Sequence, residues 1–297
     1  MRLIRRLWAV AKILFAVPLL VVVLFCVNGL WPSWKDPDAG TTSAAPAMGR
    51  VREVRVLALN VAKCGFHRGG TTFASKDEVR SSLDRIADVI KRSGADLVAL
   101  TEIVKDAPPC DVDQVVYLAE KTGLHAWAFA ENYSFGIPFV NIRAGNALLS
   151  RFPMQADRCE QLAGGKPFWN PTNNRRILWC TVTINGEKVA VASLRNDSFD
   201  LVNNAVQARE IVESLPDGPV IIAGDFNADP DTESMQTYRE TRRLIGAFDG
   251  PGTFPAHDPK RRIDYVLGPR AWTLVEDSVL DDLVSDHRAV LAVFSLR

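Results

Sequence analysis

The hydrophobic pattern divides the chain into one long apolar run near its start and a larger region of short, alternating segments. Residues 13–30 carry no charge, and as a helix these 18 residues are about 27 Å long, close to the hydrocarbon thickness of a bilayer. From residue 51 onward, short β-branched runs alternate with stretches whose apolar positions recur at helical spacing. This alternation predicts an α/β domain over residues 51–297.

The first part of this domain predicts a strand, a helix and a second strand in close succession. The strands cover residues 51–60 and 95–102, and the helix between them starts with a capping box at Ser75. Strands joined in this way lie parallel in one sheet, with their carboxyl ends at the same edge. We therefore expect Asn60 and Glu102, the last residues of the two strands, to lie side by side.

Residues 220–227, V-I-I-A-G-D-F-N, predict a buried strand that exits into a turn. Because side chains alternate along a strand, Asp225 and Asn227 share one face at its end. An Asx-type turn that only ends the strand is the competing interpretation. The remaining predicted elements are helices over 112–121, over 203–215 and from 233, a hairpin of 177–184 with 188–194, strands over 127–129, 147–149, 262–267 and 289–294, and a loop over 131–145.

Polar residues gather at these predicted strand ends. Asp264 stands inside an apolar strand, and a buried carboxylate is costly unless it is paired. His287 is an available partner for it. Glu102 or His287 alone would be typical of a solvated surface residue, so the whole constellation, rather than any single residue, indicates a functional site.

The charge of the chain does not favour a non-specific nucleic-acid-binding domain. The chain has 35 Lys and Arg against 35 Asp and Glu, and residues 50–297 hold 30 of the basic and 33 of the acidic residues. A non-specific nucleic-acid binder carries a basic footprint, which this net charge lacks. A local groove for a phosphate backbone remains a hypothesis, with an ordinary solvated loop as the alternative; its candidate residues are Arg68, Arg175, Arg176, Arg195 and the run Lys260-Arg261-Arg262.

The apolar run predicts an N-terminal membrane anchor. Four basic residues precede it, and this bias keeps the N-terminus in the cytoplasm and places the domain outside. A cleaved signal peptide and a lipid-attached Cys26 are alternatives, but an Ala-x-Ala pattern occurs only far downstream and Phe25 before Cys26 is not small. We expect residues 1–30 to be a single-pass anchor in the cytoplasmic (inner) membrane, and residues 31–50, rich in Pro, Ser, Thr, Ala and Gly, to be a flexible linker.

Four cysteines fall within the domain, which the anchor places in an oxidising compartment. Their spacings are not those of zinc sites. Cys159 and Cys180 fall on successive predicted strands, and Cys64 and Cys110 each follow a predicted strand end. We predict the disulfides Cys159–Cys180 and Cys64–Cys110, which is one of the three pairings that four cysteines allow.

The motifs N…E…G-D-F-N…R-I-D-Y-V…S-D-H, with L-S-R-F-P upstream, follow one another in this order along residues 51–297. They resemble the endonuclease/exonuclease/phosphatase superfamily, which includes deoxyribonuclease I, abasic-site endonucleases, neutral sphingomyelinases and inositol polyphosphate phosphatases. The resemblance implies an α/β (α+β) fold, a four-layer sandwich of two packed β-sheets flanked by helices. It also implies a phosphoester hydrolase that uses Mg²⁺ or Mn²⁺.

The same resemblance assigns roles to single residues. The residues expected at the metal are Asn60, Glu102 and Asp286, because Mg²⁺ prefers hard oxygen ligands. The residues expected to act on water and phosphate are Asp225, Asn227 and the pair of Asp264 and His287. A carboxylate base activates water, and an Asp–His pair favours the imidazolium that stabilises charge on the phosphate.

One position departs from the family pattern. Many members carry histidine in a phrase N-x-H-L, where this chain has Ser193-Leu194-Arg195-Asn196. Arg195 can bind phosphate in bidentate fashion, but it does not donate a proton as histidine does. We expect Arg195, Asn196 and Arg176 to bind the substrate.

Three functions remain open from the sequence. The preferred one is a monomeric, Mg²⁺-dependent phosphodiesterase that cleaves nucleic acid outside the cytoplasm. A phospholipid or sphingolipid head-group hydrolase is the alternative; membrane anchoring favours it, and exposure of residues 133–140, Y-S-F-G-I-P-F-V, would support it, although core packing is the preferred interpretation of that segment. A catalytically silent receptor or scaffold is the third.

Overall fold

The computed structural model describes residues 2–31, 35–42, 49–69, 72–108, 110–138, 140–165 and 174–296. Its helices are α1 Arg2–Leu30, α2 Lys76–Ser93, α3 Gln114–Thr122, α4 Leu201–Glu213 and α5 Glu233–Glu240. Its strands are β1 Asp38–Thr41, β2 Glu53–Asn60, β3 Leu97–Asp106, β4 Ala126–Ile137, β5 Val140–Ser150, β6 Met154–Gln161, β7 Arg176–Ile184, β8 Glu187–Arg195, β9 Val220–Asp225, β10 Leu244–Ile245, β11 Asp264–Pro269, β12 Thr273–Val279 and β13 Val290–Ser295. A short 3₁₀ turn, Ala62–Gly65, follows β2.

Two β-sheets pack face to face in the described part of the chain. Sheet 1 has the strand order β1-β4-β5-β3-β2-β13-β12, and sheet 2 has the order β10-β11-β9-β8-β7-β6. The pairs β2–β3 and β8–β9 are parallel, so their carboxyl ends meet at common edges. Between the sheets lies an apolar core to which both contribute, for example Val56 and Leu97 from sheet 1 and Val191 and Ile221 from sheet 2.

Helices cover the outer faces of both sheets. Leu83 of α2 and Leu118 of α3 pack with side chains of sheet 1 in one apolar cluster, and Ile211 of α4 and Met235 of α5 pack with sheet 2 in another. The predicted capping box is present, since the Ser75 hydroxyl accepts a hydrogen bond from the Glu78 backbone amide and the Glu78 carboxylate accepts one from the Ser75 backbone amide. The expected four-layer α/β sandwich is therefore confirmed.

The predicted loop over 131–145 is wrong, because these residues form most of a long hairpin. β4 and β5 pair continuously from Ala126 opposite Ser150 to Ile137 opposite Val140, with one register shift after Glu131. Core packing of the tip is also wrong, since Phe135 and Val140 are exposed. The residues between the two short strands that the sequence predicts pair across the hairpin. Because polar residues occupy many of these positions, the sequence shows no simple apolar alternation that would indicate a strand.

The predicted linker contains a strand. Residues 38–41 form β1, which pairs antiparallel with the start of β4, and Lys35 forms ion pairs with Asp38 and Glu131. This segment is therefore attached to sheet 1, and the expectation of a flexible linker does not hold for it. Residues 32–34 and 43–48 of the predicted linker lie outside the described residues.

Helix α1 contains one stretch that is long and apolar enough to cross a membrane. This stretch, Lys12–Leu30, has a mean hydropathy of 2.7 and is 6% buried. A membrane anchor and a signal sequence both fit it. Its last turns contact the β4–β5 hairpin, where Asn28 is buried.

Neither predicted disulfide is present, since the structure shows no disulfide bond at any of the four cysteines of the domain. Cys180 lies opposite Ala156, and a register shift between Ala156 and Arg158 puts Cys159 opposite Leu178. Cys159 and Cys180 are therefore two register steps apart, roughly 7 Å along the strands, too far for a disulfide. Cys64 and Cys110 are buried neighbours, and burial, with a smaller effect of Cys110, raises the pKa of the Cys64 thiol.

Candidate active site

Strand ends from both sheets meet at one edge of the sandwich and carry the polar constellation. In sheet 2, Asp225 at the end of β9 lies opposite Arg195 of β8 on one side and Asp264 of β11 on the other. In sheet 1, Asn60 ends β2. Glu102 comes one residue after the position of β3 that pairs with Asn60. The expected meeting of these strand ends is found.

A β-bulge directs Glu102 into the site. The register of β3 against β5 shifts between Leu100 and Ile103, and Glu102 has a positive φ of 53°. Bulges of this kind change the direction of a side chain next to a functional site. Ala62, Lys63, Cys64 and Asn227 are further described non-glycine residues with positive φ around the same edge, and such strained conformations concentrate at functional sites.

Asp225, Asp264 and His287 form the histidine group. His287 Nδ1 lies 2.8 Å from Asp264 Oδ2, and all three residues are buried. Burial by itself lowers the pKa of His287, but Asp264, with Asp225 and Asp286, outweighs burial and raises the pKa to about 9. Two carboxylates on adjacent strands would repel each other, so the imidazolium stabilises the pair.

Glu102, Lys63 and Arg195 form the glutamate group. Lys63 Nζ contacts Glu102 Oε2, and Arg195 Nη2 lies 2.5 Å from Glu102 Oε1. Burial raises the pKa of Glu102, but Arg195 and Lys63 outweigh it and bring the pKa down to about 2. Glu102 is therefore ionised at neutral pH between two cations.

Asn60 and Arg195 connect the two groups. Asn60 Nδ2 donates to Glu102 Oε1 at 3.2 Å and to Asp225 Oδ2 at 3.0 Å, and its Oδ1 accepts from the Ala62 amide at 3.0 Å. Arg195 Nε donates to Asp225 Oδ2 at 3.2 Å. Asn60 thus presents its amide nitrogen to the two carboxylates in this structure, and its role as a metal ligand stays a prediction.

A cavity of about 190 Å³ opens next to the glutamate group. The residues that line it include Lys63, Glu102, Tyr133, Arg175, Arg195 and Phe199. Burial and the Glu102 carboxylate raise the pKa of Tyr133 to about 12, while burial and the nearby Arg195 lower the pKa of Arg175 to about 10. At neutral pH the cavity therefore presents three cations beside one ionised carboxylate, which suits a bound anion.

The glutamate group fits a hard divalent cation. Glu102 is ionised, and its partly exposed carboxylate faces an open cavity. Mg²⁺ and Mn²⁺ accept one such oxygen ligand and keep several waters. A cation at Glu102 would take the place of the Lys63 ammonium.

The histidine group also brings three ligand atoms close together. One atom each of Asp225, Asp264 and His287 lies within 4.8 Å of the others. Histidine binds a metal only as neutral imidazole, and a pKa of about 9 keeps His287 protonated at neutral pH. The histidine group is therefore better suited to hold a proton than a cation.

Some predicted site residues lie elsewhere or face away. Arg176 is buried between the sheets and donates to the Glu131 carbonyl at 3.2 Å, whereas its neighbour Arg175 reaches the cavity, because adjacent residues of an extended chain point in opposite directions. The Asn196 side chain is fully buried, and this residue contributes its backbone carbonyl, which accepts from Asn227 Nδ2 at 2.9 Å. Neither side chain is among the residues that line the cavity, and substrate binding by Arg176 and Asn196 stays a prediction.

Asp286 and Asn227 differ in how the site holds them. Asn227 is buried and its backbone amide donates to Asp225 Oδ1 at 3.1 Å. Asp286 is exposed, and among the described contacts its carboxylate meets the Ser285 hydroxyl at 3.2 Å and not Glu102. The described geometry therefore gives Asp286 an electrostatic effect on His287 and leaves its metal role a prediction.

The predicted basic groove is largely neutralised by ion pairs. The pairs are Arg68–Glu78, Lys260–Asp258, Arg261–Asp229 and Arg262–Asp277, with distances of 2.8, 2.9, 2.8 and 2.6 Å. Lys63 is the main residue that the sequence did not indicate, since a lysine in a loop is common and its position depends on the turn after β2.

Comparisons with known proteins agree with this geometry. The model of the endonuclease/exonuclease/phosphatase family matches residues 57–287. A comparison with curated proteins gives no match.

Solved structures share the fold at low sequence identity. An endonuclease/exonuclease/phosphatase from Beutenbergia cavernae is 23% identical, with a TM-score of 0.64 over 83% of this chain and 72% of that one. The mannosyl-6-phosphatase Bt3783 of Bacteroides thetaiotaomicron is 14% identical, with a TM-score of 0.62 over 82% of this chain and 100% of that one. The human Nocturnin catalytic domain is 17% identical, with a TM-score of 0.59 over 87% of this chain and 96% of that one. Since the family model covers most of the domain and the fold agrees, the chain belongs to the endonuclease/exonuclease/phosphatase family.

Proposed function

We propose that this chain is a metal-dependent hydrolase of phosphodiesters, with Mg²⁺ or Mn²⁺ as the cofactor. Members of the family are phosphoester hydrolases. The observation that carries the proposal is the junction at Asn60, which joins an ionised carboxylate suited to a cation with a buried Asp–His pair. A catalytically silent receptor would not need Glu102 to be kept ionised and His287 to be kept protonated against the effect of burial.

The side chains divide the work between water and phosphate. Glu102 would hold the divalent cation, which would supply positive charge to neutralise the phosphate and to stabilise the leaving oxygen. Asp225 accepts the proton of the attacking water. Asn227 keeps the Asp225 carboxylate in position through the hydrogen bond from its backbone amide. His287 donates a hydrogen bond to a phosphate oxygen and stabilises the charge that develops there, while Asp264 keeps the ring oriented and protonated.

The cavity favours a single phosphate group as the recognised unit. Arg175, Arg195 and Lys63 provide its positive charge, and Arg195 takes the place of the family histidine as a binding rather than a proton-donating group. Nucleic acid is the substrate class that the sequence predicts. The ion pairs at Arg68 and at residues 260–262 leave that class with little support beyond the central phosphate.

We further propose that α1 is retained as a single-pass anchor and that the domain works as a monomer on the non-cytoplasmic side of the membrane. The basic residues before the apolar stretch support this orientation. Protease treatment of spheroplasts, in which the cytoplasmic membrane is intact and accessible, and of broken spheroplasts tests it. Digestion of the domain only after the membrane is broken would contradict this topology.

The direct test uses the full chain in lipid nanodiscs with bis(p-nitrophenyl) phosphate as a soluble substrate. We expect hydrolysis with Mg²⁺ or Mn²⁺, its loss in excess chelator, and recovery when the metal is restored. Plasmid DNA, RNA and phospholipid are assayed in parallel to identify the substrate class. An Arg209→Gln variant is a matched surface control, because Arg209 pairs only with exposed Glu233 among the described ion pairs. Absence of hydrolysis across a broad metal screen would refute the proposal.

A further inference from the structure

The tip of the β4–β5 hairpin projects beyond sheet 1 as a two-stranded ribbon. The last residue of β5 that pairs with β3 is Arg143, whereas β4 and β5 continue to pair with each other as far as Ile137 and Val140. Gly136 has a φ of 130°, and a Cβ there would lie 2.4 Å from the Val140 carbonyl oxygen, so the turn requires glycine. A two-stranded ribbon is marginally stable by itself, so the tip needs a further partner.

Asn28 of helix α1 provides that partner through hydrogen bonds. Its Nδ2 donates to the carbonyls of Ser134 and Gly136, both at 3.2 Å, and its Oδ1 accepts from Asn141 Nδ2 at 2.9 Å and from the Ser134 hydroxyl at 3.2 Å. The amide thus uses all its hydrogen-bonding capacity. It satisfies edge carbonyls that would otherwise be costly in a medium without water.

These hydrogen bonds also indicate that α1 is kept in the mature protein. Removal of a signal sequence that includes Asn28 would leave the edge carbonyls of Ser134 and Gly136 and the amide of Asn141 without this partner. An apolar segment destined for cleavage has no need of such a polar junction.

The contact places the hairpin tip at the depth of the apolar stretch. The ring of Phe25, which lies inside the stretch Lys12–Leu30, is 5.4 Å from the ring of Phe135 in an edge-to-face arrangement. Leu30 lies five residues further on, which is about 7.5 Å along the helix. When the stretch spans a bilayer, Phe135 lies below the level at which the helix leaves the hydrocarbon.

Exposed apolar side chains at the hairpin tip and at the cavity suit a lipid surface. Val140 is 59% exposed at the tip, and Phe199, which lines the cavity, is 75% exposed and is followed by exposed Leu201 and Val202. The hairpin also contributes Tyr133 to the cavity lining. The same element therefore contacts the membrane helix at its tip and the candidate active site nearer its base.

We propose that the tip of the β4–β5 hairpin inserts into the leaflet at the C-terminal end of α1 and holds the cleft against lipid head groups. The substrate is then a phosphodiester carried by a membrane lipid. This assignment of the substrate rests on the proposed hydrolase function, whereas insertion of the hairpin does not.

Photo-cross-linking tests the insertion. The full chain is reconstituted in vesicles of phosphatidylethanolamine and phosphatidylglycerol that contain a phospholipid with a diazirine on its acyl chain. Mass spectrometry is expected to find lipid adducts on the peptide around Phe135 and Val140, and to find α1 intact. The control peptide contains Val275, which is 56% exposed on β12 at the opposite edge of sheet 1. Equal labelling of both peptides, or loss of α1 by cleavage, overturns the insertion.

A matched pair of variants tests the substrate class. Phe135→Asp with Val140→Asp removes the apolar tip outside the cavity, and Val275→Asp is the control. We expect the double variant to lose about tenfold in phosphate-ester release from the vesicle lipids, because each apolar side chain contributes to insertion, with unchanged hydrolysis of bis(p-nitrophenyl) phosphate.

Different results contradict the insertion of the hairpin and the assignment of a lipid substrate. Cross-linked tips without release of lipid products, in protein that cleaves the soluble diester, overturn the lipid substrate; cleavage of plasmid instead assigns nucleic acid. Failure to cleave even the soluble diester overturns the proposed function, and the cross-linking still decides the insertion. An equal loss on both substrates in the double variant also overturns the lipid assignment, because it indicates a general structural defect.

Discussion

The histidine group and the glutamate group use opposite electrostatic arrangements within one cleft. In the histidine group, buried carboxylates keep a cation protonated, with a pKa of about 9 for His287. In the glutamate group, two cations keep a carboxylate ionised, with a pKa of about 2 for Glu102. Each arrangement overcomes burial, which by itself would favour the neutral form of both side chains.

This difference indicates that the two groups are suited to bind partners of opposite charge. A carboxylate with a low pKa in an open cavity is ready for a cation, and a buried imidazolium is ready for an anion. Asn60 and Arg195 hold the two groups together, so a phosphate with its metal could contact both. Substitutions that affect one group, or both, should therefore have distinct signatures.

The largest effect is expected from Asp225→Asn, because Asp225 contacts both connecting residues. The variant removes the proposed acceptor for the proton of water, and we expect kcat to fall by about 10³-fold. Hydrolysis of bis(p-nitrophenyl) phosphate measures this loss, and circular dichroism checks the fold. A fall of less than tenfold in a folded variant would remove Asp225 from the chemical step.

Glu102→Gln should have the next largest effect and a different signature. The neutral amide leaves Lys63 and Arg195 without their shared counterion and weakens cation binding. We expect activity to fall by about 10²-fold and to recover partly at high Mg²⁺. A titration of activity against metal concentration tests this, with Arg209→Gln as the surface control. An unchanged metal requirement would show that the cation binds elsewhere.

Much of this comparison could be predicted from the sequence, because it depends on strand ends. Asn60, Glu102 and Asp225 follow apolar runs whose length and β-branching indicate strands, and parallel pairing brings such ends to one edge. The partnership of Asp264 and His287 follows from the cost of an unpaired buried carboxylate.

The remaining features depend on local irregularities and distant contacts that no periodicity reveals. The bulge that turns Glu102 and the positive φ of Lys63 create the glutamate group, and neither changes the hydrophobic pattern. The register of β6 against β7, which pairs Cys159 with Leu178 and Cys180 with Ala156, keeps the two cysteines of the predicted bridge apart. The hairpin tip is held by Asn28, which is 106 residues from Ser134 in the sequence.

Asp264→Asn should move the pH dependence of the histidine group. The folded pKa of His287, about 9, lies above its ordinary value, so the protonated pair stabilises the fold fully below about pH 6.5 and loses this contribution as the pH rises through about 9. In the variant burial remains but the main raising carboxylate is gone, and the pKa should fall to about 6.5 or lower. We expect the alkaline limb of the rate profile to move down by about two pH units, with a loss of about tenfold or more at pH 8.

Rate profiles of both proteins, with thermal unfolding across the same pH range, check this expectation. A merely structural role of Asp264 would lower the rate equally at every pH. An alkaline limb that stays near pH 9 in the variant would show that other groups control the protonation of His287.

The smallest effect is expected from Lys63→Met, and its sign distinguishes the two groups most sharply. The ammonium of Lys63 occupies one oxygen of Glu102, so it competes with a divalent cation for the same carboxylate. The Lys63 side chain is 26% exposed, and a partly solvated pair of this kind contributes about 0.5–1 kcal/mol. Without this competitor, the metal concentration for half-maximal activity should fall by about two- to fivefold, while the loss of a cavity cation raises KM for the anionic substrate.

The pH profile of the histidine group should stay unchanged, because Asp264 and not Lys63 sets the protonation of His287. A higher metal requirement in Lys63→Met would mean that the lysine supports cation binding, and the two groups would then act as one unit.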